Sequence, residues 1–280
     1  MNRYDLCLKE IFKNKTRFAD LFSYAYFNGL QILDAEKLIA YDNESHHDFG
    51  FRRERDLVML YDQKFFLHLE FQMKKDPYMP VRILNYKYAG IHEQTKTNNH
   101  FHRLYPVLSL TLYMGQSKWN THKRLYECLD VSSLKQTEIP DYEIVLFDIH
   151  SDSICFMDIY LQKFFRLIQY VYQENWEGLL QDTYLQEIEE DIFQKANVFI
   201  ELDEQYIQHH IQGGKINMCK AIENLKKKCL SDGFNHGFNN GIHKEKESIA
   251  LKMIQEGFSL DTICHLTNLS ISHLEKLQTH

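Results

Sequence analysis

The stretch RERDLVMLYDQKFFLHLEFQ, residues 53 to 72, constrains the fold more than any other part of the chain. Two short apolar or aromatic arms flank Asp62-Gln63-Lys64, and in the second arm Leu67, Leu69, Phe71 and Met73 alternate with Phe66, His68, Glu70 and Gln72. A period of two suits a strand, whose successive side chains point to opposite faces. The pattern predicts a hairpin over 55 to 61 and 65 to 73. A turn centred on Gln63 sets Leu60 against Phe66, Val58 against His68 and Asp56 against Glu70. The leucine and phenylalanine face reads as core, and the face carrying His68, Glu70 and Gln72 as a candidate site.

Around the hairpin, residues 4 to 28 carry apolar side chains at near-helical spacing and read as one amphipathic helix. Pro80 suits the first turn of a helix running to about Thr95. Val107 to Tyr113 and Tyr142 to Ile149 read as further strands. The order helix, hairpin, helix, strand, strand favours a mixed sheet flanked by helices. All four prolines lie at or before Pro140, so nothing in the second half obliges a helix to break. Glycines at 233, 237 and 241 suggest a flexible connector or a close-packing helix face. Beyond them a helix should stop at Gly257 and another start near Ser259, with Ser272 and Glu275 fitting a capping box for a last one. This tail is like a helix-turn-helix, but SHLEKLQTH offers one lysine, which favours a docking or homo-oligomerisation module over a groove reader.

The rest of the chain excludes several classes. Its most apolar stretch, Leu104 to Met114, is broken by polar residues and a proline and is well short of the roughly 20 residues needed to span a bilayer. The N-terminal segment is charged throughout, unlike a signal peptide, so the expectation is a cytoplasmic protein with no membrane partner. Six cysteines are scattered singly, without the C-x-x-C pairs of zinc or redox sites. His100 and His102 have no cysteine or acid at a zinc-like spacing, and His46-His47 and His209-His210 add no recognisable pattern. No phosphate-binding loop, dinucleotide fingerprint or serine elbow occurs. Net charge is -7, yet residues 51 to 103 hold ten Lys or Arg against six acids. A polyanion would dock there, since phosphate neutralisation supplies most non-specific affinity. A solvated charged face fits the same count.

Two carboxylates opposed across strands repel unless something positive lies between them. Magnesium takes oxygen ligands and one or two carboxylates, which suits Asp56 and Glu70, with the carbonyl of Phe71 as a third donor. Such an ion would assist phosphodiester hydrolysis. A surface hairpin with two exposed acids carries the same pattern, and a half-step change of register would separate them. His68 shares the acidic face, either beside an ion or as a satisfied histidine.

More of the chain agrees with one family. Lys9-Glu10-Ile11-Phe12, Asp56 with Glu70-Phe71-Gln72, Met79-Pro80 with Arg82 and Tyr86, Tyr105-Pro106-Val107 leading to Tyr113-Met114-Gly115 and Trp119, then Pro140-Asp141-Tyr142 and the glycine-rich tail follow in order. The chain resembles the YhgA-like transposases, or recombination-promoting nucleases, of the PD-(D/E)XK nuclease superfamily. The resemblance implies a restriction-endonuclease-like α/β core over residues 1 to 150, a helical region 151 to 232 completing it, and a module over 233 to 280. It implies metal-dependent DNA endonuclease activity with Mg2+ or Mn2+ held by Asp56, Glu70 and the Phe71 carbonyl. Gln72 stands where the superfamily has a water-orienting lysine, and Arg55 where it has proline. Glu10 is the candidate for an acid contributed by the first helix. Arg82 and Tyr86, one helical turn apart, would hold a phosphate or brace the acids, with Arg55 and Lys74 as further DNA contacts. The alternative is a catalytically inactive nuclease fold that binds DNA or protein.

Overall fold

The computed structural model describes residues 2–41, 44–45, 53–54, 56–97, 103–132, 140–150 and 154–278. Arg55, His46, His47, His100 and His102 lie outside them. Contacts divide the chain into two units, Met1–Cys219 and Lys220–His280. No described helix is long and apolar enough to cross a membrane.

The first unit is built on a five-stranded mixed sheet. Its strands are β1 (Leu38–Tyr41), β4 (Leu57–Tyr61), β5 (Phe65–Gln72), β6 (Val107–Tyr113) and β7 (Val145–Asp148), side by side in that order. The two-residue strands β2 (Glu44–Ser45) and β3 (Arg53–Glu54) pair separately. The β1, β4 and β5 neighbours run antiparallel, while β6 and β7 run parallel to β5. Helix α3 (Met79–Thr97) makes the crossover that a parallel β5–β6 pair requires.

The hairpin has the expected register, with Val58 opposite His68 and Leu60 opposite Phe66. Asp62 and Gln63 at its turn both take positive φ, 47° and 53°. In the three-residue loop Asp62-Gln63-Lys64, the Lys64 N–H donates to the Tyr61 carbonyl at 2.8 Å, and the two left-handed residues it encloses match the twist of the flanking strands.

Both faces of β5 are covered, so its Glu70 is not the exposed acid of a surface hairpin. On the first face, α1 (Arg3–Phe12) and α4 (Ile159–Tyr172) pack an aromatic core: Phe12 lies 6.2 Å from Phe71 and 6.5 Å from Phe165, and Phe147 lies 5.2 Å from Phe165. On the second, Met79, Ile83 and Tyr86 of α3 pack with Tyr113, Trp119 and Ile144. His68 and Glu70 are therefore interior groups, 0% and 2% exposed.

Other boundaries shift for local reasons. The single helix expected over 4 to 28 is two, because the Asn14 side chain accepts hydrogen bonds from the N–H groups of Thr16 and Arg17 and so caps α2 (Lys15–Ala25). A cap residue is itself non-helical, which ends α1. The strand expected from Tyr142 shortens to Val145–Asp148, with Glu143 making an isolated bridge to Arg124. The second half is not wholly helical: α5 (Trp176–Gln181), α6 (Glu190–Ile200) and α7 (Glu204–Gln208) are interleaved with three two-residue strands, β8 (Ile188–Glu189), β9 (Ile211–Gln212) and β10 (Lys215–Ile216). Gly213 and Gly214, both with positive φ, make the β9–β10 turn.

Of the two readings of the glycine spacing in the second unit, a connector or a close-packing helix face, the stretch is helical. α8 (Met218–Gln255) runs through Gly233, Gly237 and Gly241, and among the described residues no atom beyond chain neighbours and the helix's own backbone lies within 4 Å of a Cβ placed at any of them. It stops at Gly257 as expected, with φ +82°, and Ser259 caps α9 (Leu260–Thr267). Before α10 (Ile271–Gln278), Ser270 rather than Ser272 accepts the backbone N–H of the first turn, from His273. Ala250, Ile263, Leu269 and Leu274 form this unit's buried core.

Candidate active site

Asp56 stands one residue before the first rung of the β4–β5 ladder, Leu57 opposite Leu69, so its place in the register is across from Glu70. The two carboxylates are held differently. Asp56 Oδ2 accepts the backbone N–H of Phe71 at 2.8 Å, and its Oδ1 is 3.8 Å from Lys9 Nζ on α1. Glu70 Oε1 accepts from Arg82 Nη2 at 2.5 Å and from the Tyr86 hydroxyl at 3.4 Å, both on α3. Its other oxygen, Oε2, is buried and has no hydrogen-bond partner among the described residues.

That oxygen belongs to a group of unsatisfied atoms. His68 Nε2 lies 3.4 Å from it without a hydrogen bond, and Thr111 Oγ1 is also buried and unsatisfied. In the β5–β6 register His68 pairs with Ser109, whose hydroxyl is 3.2 Å from His68 Nδ1, and Glu70 pairs with Thr111. Buried polar atoms in folded proteins are nearly always hydrogen-bonded, so three together need an explanation such as a bound ion or water.

Burial pushes the Asp56 carboxyl up to about 7, with Glu70 repulsion adding to the shift and the Phe71 N–H and Lys9 opposing it. Burial also raises the Tyr86 hydroxyl, again with Glu70 contributing. Burial disfavours charge on Arg82, but Glu70, Tyr86 and Asp76 outweigh it and hold the guanidinium above its ordinary range. Burial is thus the leading reason that Asp56 resists ionisation, and repulsion from Glu70 adds to it.

The remaining candidates divide. Arg82 spans three side chains, reaching Gln72 Oε1 at 3.3 Å and Asp76 Oδ2 at 3.1 Å besides Glu70. Tyr86 is 6% exposed with its ring 5.0 Å from that of His68. Of the two roles considered for Arg82 and Tyr86, the contacts are those of bracing an acid. Gln72 donates through Nε2 to the carbonyl of Lys74, so both ends of its amide are engaged. Lys74 is exposed. Glu10 does not join the pair: it turns to Lys195 on α6. What α1 brings to Asp56 is Lys9 and, at longer range, Asp5. Lys9 and Asp76 were not singled out as site residues from the sequence. Lys9 sits one helical turn after Asp5, and Asp76 six residues before Arg82, spacings with many innocent explanations.

Among known families, the model described as "Putative transposase, YhgA-like" matches residues 2–197, which include the sheet and every side chain of this site. No curated protein and no solved structure matches.

Proposed function

Because the chain belongs to the YhgA-like transposase family, whose model spans well over half of it, we propose that it is a metal-dependent endonuclease acting on DNA phosphodiesters. The observation that carries this reading is the buried acid pair with spare ligand capacity: Glu70 Oε2 has no donor, and Asp56 is driven toward protonation by burial and by Glu70. Two carboxylates short of positive charge fit a divalent cation, and Mg2+ or Mn2+ prefers such oxygen donors. Asp56, Glu70 and the Phe71 carbonyl would hold it. When bound, the ion would lower the pKa of a water and stabilise charge on the phosphate.

The chain's own residues then have positioning roles. The Phe71 N–H orients Asp56, while Arg82 and Tyr86 fix one oxygen of Glu70 and leave the other available. Gln72, held by Arg82 and by the Lys74 carbonyl, presents a rigid amide beside Glu70 rather than a cation. The exposed Lys74 can meet a phosphate at the site's edge.

A second reading, a nuclease fold that binds DNA or protein without cutting, is favoured by Arg82. A guanidinium 2.5 Å from Glu70 already supplies one positive charge, and neutral Gln72 has no charge to offer the phosphate. Plasmid incubated with wild type, Asp56→Ala and Glu70→Ala proteins in Mg2+, Mn2+ or EDTA separates the two. Nicking that both substitutions and the chelator abolish is the expected result. DNA binding of equal strength in all three proteins, with no nicking in either metal, overturns the enzyme reading and leaves the binding protein.

A further inference from the structure

Away from the acid pair, three ligand-type side chains meet in the second unit. His243, Glu247 and His273 each bring one nitrogen or oxygen to a common point, all within 4.8 Å of one another, and no other such group of three occurs among the described residues. His243 and Glu247 are one turn apart on α8. His273 comes from the first turn of α10, where Ser270 accepts its backbone N–H.

Both imidazoles address the same carboxylate oxygen. Glu247 Oε1 is 3.3 Å from His243 Nδ1 and 2.7 Å from His273 Nε2, and the rings stand edge to face with centroids 5.4 Å apart. Donor atoms around a tetrahedral ion with bonds of about 2.0 to 2.1 Å lie about 3.3 Å from each other. The His243 edge already has that length. The His273 edge has to open by about 0.6 Å, which side chains between 30% and 56% exposed achieve by small rotations.

We propose that His243, Glu247 and His273 form a binding site for a zinc-class divalent ion that fastens α10 to α8. Two imidazoles with one carboxylate select zinc over magnesium or calcium, which prefer all-oxygen sites, and a water would complete the tetrahedron. The second unit has reason to use such a fastener. Among the described residues its core cluster has four buried side chains, Ala250, Ile263, Leu269 and Leu274, with five partly buried hydrophobics packed against them, and domains of about 60 residues bury too little apolar surface to be more than marginally stable without staples. An ion joining Glu247 to His273 closes a loop of 26 residues that contains α9. This site is independent of the nuclease reading.

The test uses the full chain carrying Asp56→Ala and Glu70→Ala, so that the acid pair contributes nothing. Zinc is titrated by calorimetry at pH 7.5, with His243→Ala, Glu247→Gln or His273→Ala added in turn. As a second measurement, the otherwise wild-type chain is titrated in excess Mg2+. Each added substitution is expected to remove about one zinc equivalent, or to weaken it at least about tenfold. Zinc is also expected to protect the backbone amides of residues 271–278 from hydrogen exchange in the parent alone. The proposal is overturned if the three variants bind zinc like their parent, if no saturable zinc binding is seen, or if exchange in α10 ignores the ion. The last results would leave a hydrogen-bonded histidine and carboxylate cluster.

Discussion

Removing the charge of Asp56 should stabilise the metal-free protein at neutral and alkaline pH. The carboxyl is held at about 7 instead of the ordinary 3.8, with burial and Glu70 as the leading causes. The folded chain therefore binds a proton more tightly than the unfolded chain does between those values. A raised carboxyl contributes stability that is fully present below 3.8 and is lost as pH rises through about 7. At 1.36 kcal/mol per unit the loss amounts to about 4 kcal/mol once both states are ionised. Asp56→Asn has no charge to strip of water, and its amide oxygen can still accept from Phe71. In EDTA the variant should exceed wild type by about 2 to 4 kcal/mol at pH 8 in urea unfolding, and the difference should vanish near pH 4. For a chain of this size the gain is about 5 °C or more in Tm. Saturating Mg2+ should reverse the order at pH 8, since a ligand that binds only the folded wild type stabilises only wild type. A variant less stable than wild type at pH 8 in EDTA would refute the account of a strained, cation-seeking acid.

Other consequences follow from the same contacts. Arg82→Ala leaves Glu70 charged and almost fully buried, and should cost about 3 kcal/mol in urea unfolding, with Arg82→Lys recovering only part because one ammonium cannot span Glu70, Gln72 and Asp76 together. Thr111→Val removes a buried hydroxyl that has no partner, so metal-free stability should stay within about 1 kcal/mol of wild type, and a loss above about 2 kcal/mol would mean that the hydroxyl is satisfied.

Much of the sheet was legible because it rests on short-range rules. Period two in FFLHLEFQ defined the faces, and the turn at Asp62-Gln63 set a register that placed Asp56 and Glu70 across from each other. Val107–Tyr113 needed only its apolar run and the glycine beyond it. β1 escaped notice because LIAY is four residues long and exposed over three of them, leaving no periodicity to see. Glu10 was misplaced because helix phase decides between neighbours about 100° apart: Lys9 faces Asp56 while Glu10 faces Lys195. The glycine spacing leaves connector and helix open because helix propensity is a weak prior over 38 residues. Least legible of all was the closing of α3 over His68 and Glu70. Nothing local in either segment says that Tyr86 will lie on the His68 ring, and that packing turns two ordinary polar residues into buried ones.

The charge distribution around the pair gives the cation a sharper test. Among the described residues, Asp56 is repelled by Glu70 and Asp5 and paired with Lys9, while Arg82 is divided between Glu70 and Asp76. An acid cluster with this deficit has to protonate, as Asp56 tends to, or recruit positive charge. Lys9→Met, which keeps the stem and removes the charge, widens the deficit. In EDTA at pH 8 it should lower stability by about 1 to 2 kcal/mol, the scale of a half-screened ion pair at 3.8 Å. The same change should tighten Mg2+ by about three- to tenfold, because the ion no longer competes with an ammonium for Asp56. Thermal shift against Mg2+ concentration reads both effects in one protein. A loss in EDTA that shrinks toward zero at saturating Mg2+ is what a divalent site requires. If Lys9→Met loses the same stability with and without Mg2+, Lys9 is an ordinary structural partner of Asp56 and the pair does not bind the ion.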